Sequence, residues 1–128
     1  MANANLDVMQ RFVAAALGGD GATLKVLCAD GMVLEQGSGM PYAGVYRGGE
    51  GFLEFLGIFG ETFDISQLDL VRTYQAEDPD WLVSEFVMRA RVKATGKPYA
   101  TTLVETWNFR DGKVAAIKPH YFNSPLPG

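Results

Sequence analysis

Residues 80–122 read DWLVSEFVMRARVKATGKPYATTLVETWNFRDGKVAAIKPHYF, and this stretch decides the fold. It divides into three apolar-patterned runs, 81–93, 99–110 and 113–122, separated by Thr95-Gly96 and Asp111-Gly112. Asp-Gly between two such runs predicts a tight hairpin, because both turn positions need positive φ. Thr-Gly is a weaker signal of the same kind. Two-residue loops would fix the register. With Asp111-Gly112 as the loop, the expected pairs are Glu105 with Lys118, Leu103 with His120 and Trp107 with Ala116. With Thr95-Gly96 as the loop, they are Phe86 with Glu105, Met88 with Leu103 and Ser84 with Trp107.

Side chains alternate between the two faces of a strand. One predicted face therefore gathers Leu82, Ser84, Phe86, Met88, Ala90, Leu103, Glu105, Trp107, Phe109, Lys118, His120 and Phe122. The other gathers Val83, Glu85, Val87, Arg89, Arg91, Val104, Thr106, Asn108, Ile117 and Tyr121. The first is mostly apolar and aromatic, with three ionisable groups set in it. On this register Glu105 and His120 are diagonal neighbours, roughly 7–8 Å apart at the backbone, within joint reach of a small ligand.

Outward from this stretch, helical spacing of Leu6, Met9, Phe12, Val13, Ala16 and Leu17 predicts a first helix, with Asn5 as cap and Gly18-Gly19 as stop. Asp20 caps a shorter second helix carrying Ala22, Leu24, Leu27 and Cys28. Residues 32–36 read as a strand. Residues 37–49 read as a loop of glycines that also holds Tyr42, Val45 and Tyr46, aromatics suited to folding over something apolar or to anchoring the loop on the core. Residues 50–63 read as a third helix with Phe52, Phe55, Leu56, Phe59 and Phe63 inward. Gly57 and Gly60 weaken it by about 1 kcal/mol each and leave room for close approach of another element. Residues 65–77 read as a strand with Leu68, Leu70, Arg72 and Tyr74 on one face. Asp78-Pro79-Asp80 is a turn, and the tail 123–128 is irregular. Helices followed by antiparallel strands give an α+β class, with three helices packed on one face of a curved antiparallel sheet. Such a sheet leaves a cone-shaped cavity lined by the apolar face.

The length, 128 residues, suits one domain spanning 1–128. A net charge of −4 opposes binding to nucleic acid or an anionic membrane. No apolar run approaches the ~20 residues that span a bilayer. The start, Met-Ala-Asn-Ala-Asn, has no basic region followed by an apolar core, so no secretory signal is expected. The single cysteine, Cys28, excludes an internal disulfide and fits a cytoplasmic location. One histidine, one cysteine and no clustered acids do not supply the three or four ligands of a metal site. No glycine-rich phosphate loop is present, and no cofactor is expected.

The run Gln10-Arg11-Phe12-Val13-Ala14-Ala15-Ala16-Leu17-Gly18-Gly19-Asp20 resembles the opening helix of ketosteroid isomerases. Thr95-Gly96-Lys97-Pro98-Tyr99, Trp107-Asn108-Phe109-Arg110-Asp111-Gly112-Lys113-Val114 and His120-Tyr121-Phe122-Asn123 resemble the closing strands of SnoaL-like polyketide cyclases and of limonene epoxide hydrolase. All belong to the nuclear transport factor 2-like superfamily, of cystatin-like fold, and the resemblance covers nearly the whole chain. It implies a small apolar ligand and a homodimer. Its catalytic positions fall as follows. The oxyanion-hole tyrosine of the isomerases falls at Phe12, their general-base aspartate at Gln36 and their proton-donating acid at Glu105. The Arg and Asp of the epoxide hydrolase fall at Phe86 and Met88. Its third acid, and the catalytic acid of the cyclases, falls at His120. Neither named reaction transfers as a whole, but titratable groups persist at Glu105 and His120.

The candidate chemistry is therefore proton transfer, as in isomerisation, cyclisation or dehydration, on a small apolar carbonyl- or hydroxyl-bearing molecule. His120 is expected as general base, since an imidazole titrates near neutrality. Glu105 among Phe86, Leu103 and Trp107 is expected as general acid, since an apolar setting raises a carboxyl pKa. Phe12, Gln36, Tyr42, Tyr46, Tyr74, Phe86, Met88, Leu103, Trp107 and Phe122 are the expected ligand-binding residues, with Ser84 a further hydrogen-bonding candidate. Two alternatives stay open. Pro119 can bulge its strand and rotate His120 outward. Glu105 can pair with Lys118, with Phe12, Phe86 and Trp107 plugging the cavity of a non-catalytic binding or assembly module. The outer sheet face, with Val83, Val87, Val104, Ile117 and Tyr121, is the expected dimer surface.

Overall fold

The computed structural model describes residues 3–126. Residues 1–2 and 127–128, the outermost parts of the span 1–128 and of its tail, lie outside the described residues. Helix α1 (Ala4–Leu17) buries Met9, Phe12 and Ala15. Its cap is Asn3 rather than Asn5: the Asn3 side chain accepts from the Asn5 N–H at 2.9 Å. Asn5 reaches instead across to the turn before the central strands, donating to the Pro79 carbonyl at 3.0 Å. Asp20 caps α2 (Gly21–Leu27) as expected, accepting from the Thr23 N–H at 3.1 Å. Strand β1 (Cys28–Gln36) begins earlier than the expected 32–36. The aromatic loop holds a short strand, β2 (Gly44–Arg47), paired with β1. Then follow α3 (Gly48–Thr62), β3 (Phe63–Gln75), β4 (Trp81–Val92), β5 (Pro98–Arg110) and β6 (Lys113–Tyr121).

The six strands form one sheet in the order β2-β1-β6-β5-β4-β3. All neighbours are antiparallel except β1 and β6, which run parallel. The three helices and the curved, unclosed sheet make the α+β cone. Its core joins Met9, Phe12, Leu24 and Phe52 from the helices to Leu82, Met88, Trp107, Phe109 and Val114 from the strands. Phe12 stands edge-on to Trp107 at 5.4 Å and to Phe52 at 4.8 Å, each pair adding about 0.5–1.5 kcal/mol beyond burial.

The register differs from the expected one in three places. Asp111 and Gly112 take φ of 53° and 75°, as the hairpin requires, and Arg110 pairs with Lys113. Beyond Phe109↔Val114, however, β6 carries one extra residue. Asn108 pairs with Ala116, Trp107 with Ile117, Glu105 with Pro119 and Val104 with His120. The bulge at Ala115 reverses the facing of everything after it. The reason is energetic. Without it Lys118 and His120 would enter the apolar interior and Ile117 and Tyr121 would leave it, and burying unpaired polar groups costs more than one interrupted ladder position. Strand β3 does the same at Val71, so Leu70 pairs with Phe86 on the inner face whereas Arg72 and Tyr74 turn outward. The β4–β5 connection is four residues, 93–96, not two. Arg91 pairs with Pro98, and partners shift by two, which keeps the faces: Ser84 lies opposite Glu105 and Phe86 opposite Leu103.

Candidate functional site

The inner face of the sheet and the helices above it enclose a cavity of about 350 Å³. This is in the range that takes a small organic molecule. Phe12, Phe52, Phe55, Phe86, Met88, Leu103, Trp107 and Ile117 form its walls. It opens between the ends of α1 and α3 and the start of β3, where Leu17 and Gly60 are exposed and Val13, Ala16, Leu56, Phe59, Ile65 and Leu68 are half-buried. A Cβ on Gly57 or Gly60 would meet nothing within 4 Å, so these glycines do not serve close packing of another element.

Three lining residues are polar: Glu105, Gln36 and Tyr121. Glu105 is the one acid among them. Its Oε1 accepts from the Ser84 hydroxyl at 3.1 Å, and that hydroxyl accepts from the Trp107 indole N–H at 2.8 Å. Ser84 is fully buried. Burial pushes the Glu105 carboxyl from its ordinary 4.5 up to about 7, with the Ser84 hydrogen bond pulling the other way. The group is therefore poised to hold or release a proton near neutrality. Lys118 does not pair with it: Lys118 lies outside, 3.9 Å from Glu35.

Tyr121 enters the cavity because of the Ala115 bulge. Its hydroxyl accepts from Tyr42 at 2.8 Å, and the Tyr46 hydroxyl donates to the Tyr42 carbonyl at 2.8 Å. Burial raises the pKa of both Tyr121 and Tyr42 above the usual phenol value, so both stay neutral hydroxyls. Gln36 is 4% exposed, and its Oε1 is the one buried side-chain atom without a hydrogen-bond partner among the described residues.

Of the expected site residues, Glu105, Phe12, Gln36, Phe86, Met88, Leu103 and Trp107 lie together on the cavity. Tyr42 is buried behind Tyr121, and Tyr46 packs on Phe55 at 5.5 Å without lining the cavity. Three residues are elsewhere. His120 is exposed on the outer face, opposite Val104. Phe122 is 86% exposed. Tyr74 is exposed on the outer face, donating to Glu85 at 2.6 Å beside an Arg72–Glu85 ion pair. The bulges at Ala115 and Val71 account for all three. Sequence reasoning missed Tyr121 and Ile117, which it had assigned to the outer face. The signal was present: four consecutive apolar residues, Val114-Ala115-Ala116-Ile117, break strict alternation, and an unbroken register would have driven Lys118 inward.

Comparison with known proteins agrees with this architecture. A family model described as SnoaL-like domain matches residues 9–117. No curated protein shows a significant sequence match. Among solved structures, an NTF2-like protein from Burkholderia xenovorans superposes with a TM-score of 0.81 at 20% identity, covering 94% of this chain and 91% of its own. A protein of ketosteroid isomerase-like fold from Catenulispora acidiphila, in complex with trimethylamine, gives 0.73 at 16% identity over 94% and 93%. TerC, co-crystallised with polyporic acid, gives 0.77 at 16% identity over 92% and 91%. With the family model spanning both the helices and the strands that build the cavity, the chain belongs to the SnoaL-like domain family.

Proposed function

We propose that the cone takes up one small, largely apolar molecule bearing a carbonyl or hydroxyl, and that Glu105 exchanges a proton with it. The chemistry is of the isomerase, cyclase or dehydratase type and draws on side chains alone. The observation that carries this reading is the placing of one carboxyl, its pKa pushed up to about 7 by burial, in a mostly apolar and aromatic chamber. As carboxylate, Glu105 takes a proton from carbon next to a carbonyl; as acid, it returns the proton to a neighbouring carbon. Tyr121, a neutral hydroxyl on the same cavity, offers a hydrogen bond to the oxygen on which charge develops. Being exposed on the other face, His120 has no part in this step. Two proteins of similar fold, one co-crystallised with polyporic acid and one in complex with trimethylamine, support a small-molecule cavity.

The test is exchange of solvent deuterium into the positions next to the carbonyl of 2-decalone, followed by mass spectrometry. The wild type accelerates exchange over buffer, and Glu105→Gln lowers the rate by about 10²-fold or more. Equal rates in the two proteins, or no acceleration by the wild type, would overturn the reading in favour of a non-catalytic ligand-binding or assembly module. We assign the outer sheet face to a second copy of the chain, through half-buried Val83 and Val87 and exposed Val104. Ile117 and Tyr121, expected on that surface, face the cavity instead.

A further inference from the structure

The cavity holds one acid and nothing to balance it. Among the described residues no lysine, arginine or histidine lines it. Helices α1 and α3 turn only hydrocarbon towards it, through residues such as Phe12, Val13, Phe52 and Phe55. The strands add neutral groups: the Gln36 amide from β1 and the Tyr121 hydroxyl from β6, with the Ser84 hydroxyl of β4 behind Glu105. Lys118 and His120 lie on the outer face. Lys93 reaches the rim, where the Gly60 carbonyl takes up its ammonium at 2.7 Å, but it does not line the cavity. Glu105 is half-buried and lines the cavity, so a ligand inside can reach it.

Glu105 therefore ionises without a counter-charge. The Ser84 hydroxyl donates to it, and none of the ion pairs among the described residues includes it. A carboxylate in an apolar enclosure with no cation beside it is costly, and its raised pKa is one expression of that cost. Ligand preference is the other. A ligand that brings a positive charge removes the cost, a neutral one leaves it, and a negative one adds to it. The net charge of −4 favours the approach of a cation as well. We infer that the cavity selects by sign of charge, taking a compact lipophilic amine as its ammonium ion ahead of a neutral molecule of the same shape. The ammonium pairs with the Glu105 carboxylate, and the hydrocarbon body lies against the aromatic walls. Such an amine also blocks the proton transfer proposed above, because it occupies the base. The inference rests on the same cavity and the same carboxyl as that reading, but not on the reaction.

The experiment is titration calorimetry with 2-aminodecalin, 2-decalol and decahydro-2-naphthoate at pH 8 and pH 5.5, against wild type and Glu105→Gln. The amine differs from the alcohol only in carrying an ammonium in place of the hydroxyl. At pH 8 the wild type binds the amine about tenfold or more tightly than the alcohol, and the carboxylate about tenfold or more weakly. The amine needs the ionised carboxyl, so its affinity is full above about pH 7 and is lost as Glu105 takes up its proton. Between pH 8 and pH 5.5 it falls about thirtyfold, while the alcohol changes by less than about threefold. In Glu105→Gln the advantage of the amine and its pH dependence both disappear, and the alcohol still binds. An amine that binds no better than the alcohol at pH 8, or that keeps its affinity at pH 5.5, overturns the inference; both readings come from the wild type alone. If 2-decalone then still exchanges deuterium through Glu105, the proton-transfer reading stands by itself. If the amine prevails and exchange does not depend on Glu105, the charge selection stands and the proton transfer falls. If none of the three compounds binds, the inference falls, and the exchange assay decides the other reading.

Discussion

Ser84 donates its hydroxyl proton to Glu105 Oε1 across 3.1 Å while accepting from the Trp107 indole at 2.8 Å. One buried hydroxyl thus ties the only acid of the cavity to its largest aromatic wall. It fixes which carboxyl oxygen faces the ligand, and it moderates the rise in pKa that burial imposes.

Removing that hydroxyl has two consequences with definite signs. In Ser84→Ala, Glu105 loses a hydrogen bond that favours its ionised form, so its pKa rises further above about 7. The pH midpoint of 2-decalone exchange moves to the alkaline side. The Trp107 N–H is left buried without an acceptor, which costs about 1–3 kcal/mol in urea unfolding. A midpoint that stays put or moves to acid would contradict the assigned role of Ser84.

Glu105 also makes folding pH-dependent. The folded state keeps the Glu105 proton up to about pH 7, and the unfolded chain releases it near 4.5. Between these values the folded state binds more protons, so stability falls as pH rises through that window. The loss attributable to Glu105 is of the order of 3 kcal/mol. Glu105→Gln, which keeps the shape and can still accept from Ser84, removes this slope. Urea melts of both proteins at pH 4.5 and pH 8 check it, and parallel slopes would show that Glu105 titrates normally.

His120 is outside the cavity, so His120→Ala changes 2-decalone exchange and 2-decalol affinity by less than about twofold. A tenfold loss would place the imidazole inside and contradict the Ala115 bulge.

Gly60 stands at the mouth with open space where its side chain would be. Gly60→Leu fills that space and lowers the rate of 2-decalol binding in stopped-flow fluorescence by tenfold or more. It leaves the fold intact or adds up to about 1 kcal/mol, since leucine is the better helix former. Unchanged association would mean that ligands pass elsewhere.

If two copies meet through the outer face, Val104→Glu places two like carboxylates against that surface and shifts the sedimenting species to monomer. A wild type that sediments as a monomer would remove this assignment.

Much of this was legible in the sequence. The two glycine turns, the Asp20 cap and the apolar alternation of β4 and β5 led to the α+β cone and to Glu105 beside an aromatic wall. The four-residue turn at 93–96 cost only a shift of two, which leaves facing unchanged. The bulges at Val71 and Ala115 cost more, because an odd shift inverts every later side chain. Tyr74, His120 and Phe122 were lost from the cavity, and Tyr121 and Ile117 gained, for that one reason. Period-two reasoning has no term for an inserted residue; the price of a buried Lys118 was the evidence that one was needed.

The position of β6 has a bearing on how the chain comes to be made. It follows the other five strands in chain order yet lies in the middle of the sheet, between β1 and β5. During synthesis the β1–β2 hairpin and the β3–β4–β5 meander have no strand to join them until residue 113 and beyond clear the ribosome. Until then both present open edges, the templates for wrong pairing. The sheet is accordingly joined last at its middle, and a nascent chain stalled at the Asp111-Gly112 turn would hold two halves of a sheet and no chamber.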